Sequence, residues 1–293
     1  MLDARAGLAG RVAVVTGGAG GLGRPITEDL AQAGVELAVA DRDPEAVEAI
    51  CEHLTKAGRS ALVECFDVRD SDRLAAFFGQ VDERFGRLDV LINVPGGSYR
   101  QPTVDYRSNG VQAVIRENFT HVFEACQHAG RRMMRGSGGS IITITTIEAH
   151  RAMPTQAVYG AMKAGVEHLA RTLAVEWGPF GIRVNTIAPD HFPTPNSAKY
   201  VLQNQDASGT VDPHSNSTPV DDIFIPLGRK GVGSDLSGCV LFLASDLSAY
   251  VTGTTIHLDG GTFAASGWMR WPEGYDNLLP SSVAKLLEVS GQA

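Results

Sequence analysis

The 293-residue chain holds only four cysteines, Cys51, Cys65, Cys126 and Cys239. No two stand at C-x-x-C spacing, and each lies in an apolar stretch. A zinc ribbon or a disulfide framework is therefore excluded, and buried free thiols in a reducing compartment are expected. No apolar run approaches the roughly 20 residues that a bilayer-crossing helix needs. The opening MLDARAGLAG lacks a basic segment followed by an apolar one, so no secretory leader is expected. Excess positive charge is missing too: 25 Lys and Arg against 33 Asp and Glu leave a net charge of -8. That balance excludes the basic surface that nucleic-acid phosphates require. The densest basic run, Arg131, Arg132 and Arg135, reads as a solvated helix end. His150 and His191 have no further His or Cys at zinc-like spacing, so no metal site is expected. These absences leave a cytoplasmic protein whose partner is a small molecule, with neither nucleic acid nor membrane involved.

What is present is rhythm. Short apolar, β-branched runs at 12–15, 36–40, 61–66, 90–93, 140–145, 183–188 and 255–258 alternate with longer amphipathic stretches. Continuous apolar strands suit a parallel sheet buried on both faces. Strand and helix in alternation give an α/β, doubly wound (Rossmann) fold with helices on both sides, organised as a single domain. Two segments break the pattern. Residues 190–226 are polar and carry five prolines, as a substrate lid would. The tail at 262–293 contains Trp268, Trp271 and Tyr275, aromatics that suit a surface buried against another subunit.

After the first run comes Thr16-Gly17-Gly18-Ala19-Gly20-Gly21-Leu22-Gly23. Residues without a Cβ allow a tight strand-to-helix turn and let backbone N–H groups approach a pyrophosphate at the helix N-terminus. Asp41 follows the second run, 20 residues after Gly21, where an acid accepts hydrogen bonds from an adenosine ribose. A carboxylate there repels a 2′-phosphate and favours NAD. Arg42 and Arg24 weaken that preference, because either could approach a phosphate. Asp43, before Pro44, suits a helix N-cap better than Asp41 does.

Tyr159 and Lys163 stand four apart, so a helix over 159–177 places both on one face, with Val166, Leu169, Leu173 and Trp177 as its buried stripe. An ammonium beside a phenol favours the phenolate and supports acid–base chemistry.

Together these motifs resemble the short-chain dehydrogenase/reductase family over roughly residues 10–262. The family's T-G-x-x-x-G-x-G pattern appears at Thr16–Gly23 and its Y-x-x-x-K at Tyr159–Lys163. Asp67-Val68 matches its Asp-Val after the third strand, and Asn118 its mid-helix Asn. Pro189 to Thr194 matches P-G-x-x-x-T, and Asp259-Gly260-Gly261 matches D-G-G. The resemblance implies a cofactor site formed by Gly17, Ala19, Gly20, Gly21, Leu22, Gly23, Asp41, Arg42, Asp67, Val68, Asn93, Val94, Gly96, Tyr159, Lys163, Pro189, Phe192 and Thr194. It also implies catalytic residues Tyr159, Lys163, Thr146 and Asn118. Tyr159 would exchange the substrate proton, Lys163 would lower the Tyr pKa and bind the nicotinamide ribose, and Thr146 would orient the substrate oxygen. Asn118 would hold a water, and Thr194 the carboxamide.

Three positions depart from the family. Thr146 replaces its catalytic Ser, 13 residues before Tyr159, and keeps a hydroxyl. Asn93-Val94-Pro95-Gly96 replaces N-N-A-G and loses one polar tie between strands. Asp190 replaces the Gly after Pro189, and a cap on the next turn is the expected role. The resemblance thus implies an NAD(H)-dependent oxidoreductase acting on a secondary alcohol or ketone, cyclic or a diol, and a homotetramer. The substrate pocket is expected from the loops 95–101, 148–153 and 191–193. The rival readings are an NADPH-dependent carbonyl reductase and a catalytically impaired nucleotide-binding homologue.

Overall fold

Five consecutive residues of β1 (Val12–Thr16) are buried on both faces, as a central parallel strand requires. A computed structural model of the chain describes residues 5–97, 99–194, 219–271 and 274–276. Residue 98 of the expected pocket loop, residues 195–218 of the expected lid, residues 272–273 and the tail after 276 lie outside the described residues. The chain divides into two compact units, residues 1–189 with 233–256 and residues 190–232 with 257–293.

The first unit holds β1, β2 (Glu36–Asp41), β3 (Leu62–Cys65), β4 (Val90–Asn93), β5 (Gly139–Ile144) and β6 (Ile182–Pro189), and β7 (Thr255–Leu258) begins in it and ends in the second. Among the described residues these seven form one sheet in the order β3-β2-β1-β4-β5-β6-β7. The pairs for which register is defined are parallel, with Val14 beside Ala38 on one side and Leu91 on the other. All seven strands coincide with the apolar runs of the sequence. The helices are α1 (Gly23–Gln32), α2 (Pro44–Lys56), α3 (Ser71–Phe85), α4 (Ser108–Ile115), α5 (His121–Met133) and α6 (Ala157–Trp177). Asp43 caps α2 by accepting from the N–H groups of Glu45 at 3.1 Å and Ala46 at 3.4 Å, with Pro44 at the first helical position. A π-helical turn, Arg116–Thr120, joins α4 to α5. Such turns insert one extra residue and concentrate at functional sites.

The core on one side of the sheet gathers Phe77 and Phe78 of α3, Met133 of α5, Leu91 and Ile141. Two expectations need correction there. Arg132 is not a solvated helix end: its guanidinium lies 5.1 Å over the Phe78 ring and donates to Asp82 at 2.7 Å. Its long stem packs on apolar surface while its head finds a carboxylate. Nor are all four cysteines buried. Cys126 is buried, Cys51 and Cys239 are half-buried, and Cys65 is exposed. Cys65 ends β3, which among the described residues is an edge strand of the sheet.

α8 (Gly233–Ala244) completes the first unit. Its Ser237 donates to Asp29 of α1. The second unit carries α7 (Pro219–Phe224), α9 (Thr262–Ala265) and a short hairpin of β8 (Met269–Trp271) with β9 (Gly274–Asp276). Asp259 starts α9 by accepting from Gly261 N at 2.9 Å and Phe263 N at 2.8 Å.

Phe78 is fully buried, whereas Val104 is 93% exposed. Phe78→Ala is expected to lower the unfolding free energy by about 3–5 kcal/mol in denaturant titrations. Val104→Ala is expected to stay within about 0.5 kcal/mol.

Candidate active site

The chain leaves β1 toward β2 on one side of the sheet and runs from β4 toward β5 on the other, so a crevice opens beyond the ends of β1 and β4. Doubly wound sheets bind ligands at this switch point. The glycine-rich turn lines it. Gly17 takes φ +66° and donates its N–H to Ala40 O at 2.6 Å. A Cβ on Gly23 would stand 1.9 Å from Gly17 O, so this turn closes only with glycine there. No side chain caps α1; the N–H groups of Gly23 and Arg24 turn back onto Gly20 O, at 2.9 and 3.2 Å, so backbone alone forms the wall of the turn at the helix start. The cradle thus fits a dinucleotide pyrophosphate.

Asp41 ends β2. Its Oδ2 accepts from Ala19 N at 3.1 Å and Gly20 N at 3.3 Å, and its Oδ1 from Asp43 N at 3.2 Å. The same cleft is walled by Arg42, Asp67, Arg69 and Glu117. Arg69 grips Asp67, with Nε donating at 2.9 Å, and reaches Glu117 through Nη1 at 2.7 Å. Hydrogen bonding to Arg69 holds the Asp67 carboxyl down at about 2, even though burial opposes it. Val68 is buried beside it. Across the cleft, Asn93 donates to Thr143 Oγ1 at 3.2 Å, and Val94 N donates to Thr16 O at 3.2 Å. Asn93 therefore supplies an inter-strand tie despite Val94.

Gly96 lies between two functional side chains: a Cβ there would stand 2.5 Å from Lys163 Nζ and 2.9 Å from Asn118 Oδ1. Asn118, in the π turn, accepts from Gly97 N at 3.1 Å and donates to Gly97 O at 2.7 Å and Val114 O at 2.9 Å. Among the described residues one acceptor lone pair of Oδ1 is left over.

Tyr159, Lys163 and Glu167 occupy one face of α6 and meet three consecutive residues, 144–146, at the end of β5 and just beyond it. Lys163 Nζ donates to Ile144 O at 3.0 Å. Thr145 Oγ1 donates to Glu167 Oε1 at 2.9 Å. The Thr146 hydroxyl stands beside the Tyr159 phenol and favours its ionised form. Thr146 Oγ1 also accepts from Glu148 N at 3.3 Å, which fixes its rotamer at the head of a 3₁₀ turn. Threonine thus sits against the tyrosine as the family's serine would. Glu167, buried at 3% side-chain exposure, has a second partner in His150 Nε2, 2.9 Å from Oε2. Burial drives Lys163 down to about 8, while Glu117 and Glu167 oppose the shift. Burial drives Tyr159 up to about 12 against the Thr146 hydroxyl, and Glu148 adds to the rise. The expected lowering of the Tyr pKa by Lys163 is therefore corrected for the protein alone. The ammonium stands 5.9 Å from the ring centroid, and desolvation of the phenolate is the largest influence on the phenol.

Pro189 ends β6 in the first unit, while Phe192 and Thr194 belong to the second. There Asp190 accepts from the N–H of its neighbour His191 at 3.0 Å and from the Thr262 hydroxyl at 2.7 Å. His191 holds φ +52°, an uncommon backbone for a residue with a Cβ. Among the described residues no group of His, Cys, Asp or Glu is placed to hold a metal, and no helix is long and apolar enough to cross a membrane.

Sequence reasoning missed Glu117, Arg69 and Glu167. Glu167 had a signal, since it continues the Tyr159–Lys163 spacing by four more residues. Glu117 had only its place beside Asn118. His121, also missed, lines the cleft with Nδ1 buried and lacking a partner among the described residues.

Residues 17–262 match the family model described as enoyl-(acyl carrier protein) reductase. The chain is similar to the 2-dehydro-3-deoxy-D-gluconate 5-dehydrogenase of Escherichia coli, at 35% identity over 88% of this chain and 97% of that one. It is also similar to the peroxisomal 2,4-dienoyl-CoA reductase of Danio rerio, at 32% identity over 88% and 83%. Among solved structures, a gluconate 5-dehydrogenase from Burkholderia cenocepacia in complex with NADP and tartrate superposes with a TM-score of 0.80. The two are 30% identical over 90% of this chain and all of that one. With the ordered motifs and the parallel sheet, these likenesses show that the chain belongs to the short-chain dehydrogenase/reductase family of oxidoreductases.

Proposed function

We propose that the protein is an NAD(H)-dependent enzyme that interconverts a secondary alcohol and a ketone, with cyclic alcohols and polyols as the substrate class, and that it works as a cytoplasmic homotetramer. The observation that carries the catalytic part is the hold of α6 on residues 144 and 145 through Lys163 and Glu167, which sets Tyr159 beside Thr146. It brings a protonated phenol, a buried ammonium and an oriented hydroxyl to one place. A nicotinamide, when bound, supplies the hydride acceptor or donor.

The glycine turn from Gly17 to Gly23 would hold the pyrophosphate, Asp41 the adenosine ribose, and Asp67 and Val68 the adenine. Lys163 would bind the second ribose. In the reducing direction Tyr159 Oη gives its proton to the developing alkoxide, and the raised pKa makes it a stocked acid at neutral pH. In the oxidising direction the same oxygen accepts the carbinol proton. Thr146 keeps Tyr159 Oη and the substrate oxygen in register. A second reading, an NADPH-dependent carbonyl reductase, draws on Arg42 beside Asp41 and on the NADP bound by the Burkholderia relative.

Tyr159→Phe is expected to reduce turnover of ketone by about 10²- to 10⁴-fold while NADH binding by fluorescence is kept. Thr146→Ser should keep turnover, and Thr146→Ala should lose roughly 10²-fold. Undiminished turnover in Tyr159→Phe removes the phenol as the acid.

The pH dependence has a definite sign. Tyr159 stays protonated far above neutrality, whereas Lys163 loses its charge near pH 8. In reduction, kcat/KM for the cofactor, which reports the enzyme before binding, should be flat below that pH and fall above it. Because Glu167 raises the Lys163 pKa, Glu167→Gln should move this limb to lower pH.

A further inference from the structure

The adenosine end of the cleft holds three carboxylates, Asp41, Asp67 and Glu117, and two guanidinium groups, Arg42 and Arg69. Asp41 alone tells of an unphosphorylated ribose, and Arg42 beside it argues the reverse. The geometry resolves the ambiguity through a residue on the opposite wall. Glu117 Oε1 lies 3.3 Å from Arg42 Nη1, and its Oε2 lies 2.7 Å from Arg69 Nη1. Arg69 is also committed to Asp67. The N–H groups of Ala19 and Gly20, the other donors at this end, point to Asp41. Each of these donors of an anion site is thus already bonded to a carboxylate of the protein.

We infer that Glu117 is a specificity-determining residue that excludes a 2′-phosphorylated dinucleotide by acting as a built-in counter-anion to Arg42 and Arg69. This inference rests on the proposal that the cleft takes a nicotinamide dinucleotide. A phosphate monoester brings a charge of about -1.5 to -2 at neutral pH. To bind here it must displace Glu117 from two guanidinium groups and then lie beside that carboxylate and Asp41. A ribose hydroxyl meets no such demand, since it donates to Asp41 and leaves the ion pairs intact. Glu117 is well placed for the task. Its side chain is only 17% exposed, against 55% for Arg42, so its charge is screened less than a surface charge. It stands on the π turn and lines the cleft from there.

The test is a nicotinamide-fluorescence titration of the wild type, Glu117→Gln, Glu117→Asp and Glu117→Gln/Asp41→Ser with NADH and NADPH, with 2′,5′-ADP and ADP as competitors. The wild type should prefer NADH. Glu117→Gln should narrow that preference about fivefold, the size of one partly shielded charge pair. The gain should come from tighter binding of NADPH and 2′,5′-ADP, with ADP unchanged. It should shrink as salt rises. Glu117→Asp should keep the wild-type ratio, and the double variant should add to the single one. An unchanged NADH/NADPH ratio in Glu117→Gln overturns the inference while leaving the dinucleotide site intact. An equal loss of both cofactors reduces Glu117 to a structural role and also overturns it. A wild type that binds neither cofactor overturns the dinucleotide proposal and this inference together.

Discussion

The grip of α6 on the end of β5 is the contact on which the rest of the site depends. Tyr159, Lys163 and Glu167 recur every four residues; Lys163 and Glu167 bind Ile144 and Thr145, and Tyr159 stands beside Thr146. Two of these three groups would carry charge in a place shielded from water, and an unpaired buried charge is costly. Here each has a partner. The Lys163 ammonium spends one donor on a backbone carbonyl and feels two carboxylates, and Glu167 has both a hydroxyl and an imidazole. The helix therefore places its acid–base residue and at the same time locks the strand end that carries the orienting hydroxyl. Precision of this kind comes from rigid elements rather than loops.

The opposite end of the cleft is built on charge rather than on burial. Asp67, Arg69, Glu117 and Arg42 form a chain of contacts whose members leave the ends of different strands and one irregular helical turn. Glu117 also raises the Lys163 pKa, which makes it an electrostatic link between the cofactor wall and the catalytic lysine.

Much of this was legible in the sequence, for physical reasons. Strands buried on two faces must be apolar throughout, so β1, β2 and β4 stood out, and the Asp43-Pro44 cap marked the start of α2. The Gly17–Gly23 turn was legible because close backbone approach tolerates no Cβ. The misses have physical causes as well. Exposure of Cys65 depends on β3 being an edge, which is a property of sheet order and not of the local run. The high pKa of Tyr159 depends on how deeply its oxygen is desolvated, and the spacing to Lys163 carries no information on that. Glu117 and Glu167 read as ordinary helical acids until the fold brings Arg42, Arg69, Thr145 and His150 to them. The pairing of β8 with β9 shows in the sequence only through Trp271 and Tyr275, aromatics that suit a subunit contact as well.

The most direct test of the account is isotopic. The protein would be incubated with NAD⁺ and a panel of cyclic, open-chain and polyol secondary alcohols deuterated at the carbinol carbon, and the nicotinamide product weighed by mass spectrometry. The account predicts reduced nicotinamide carrying one deuterium from at least one member of the panel. Reduced cofactor without deuterium, or no reduction across the whole panel, would contradict it.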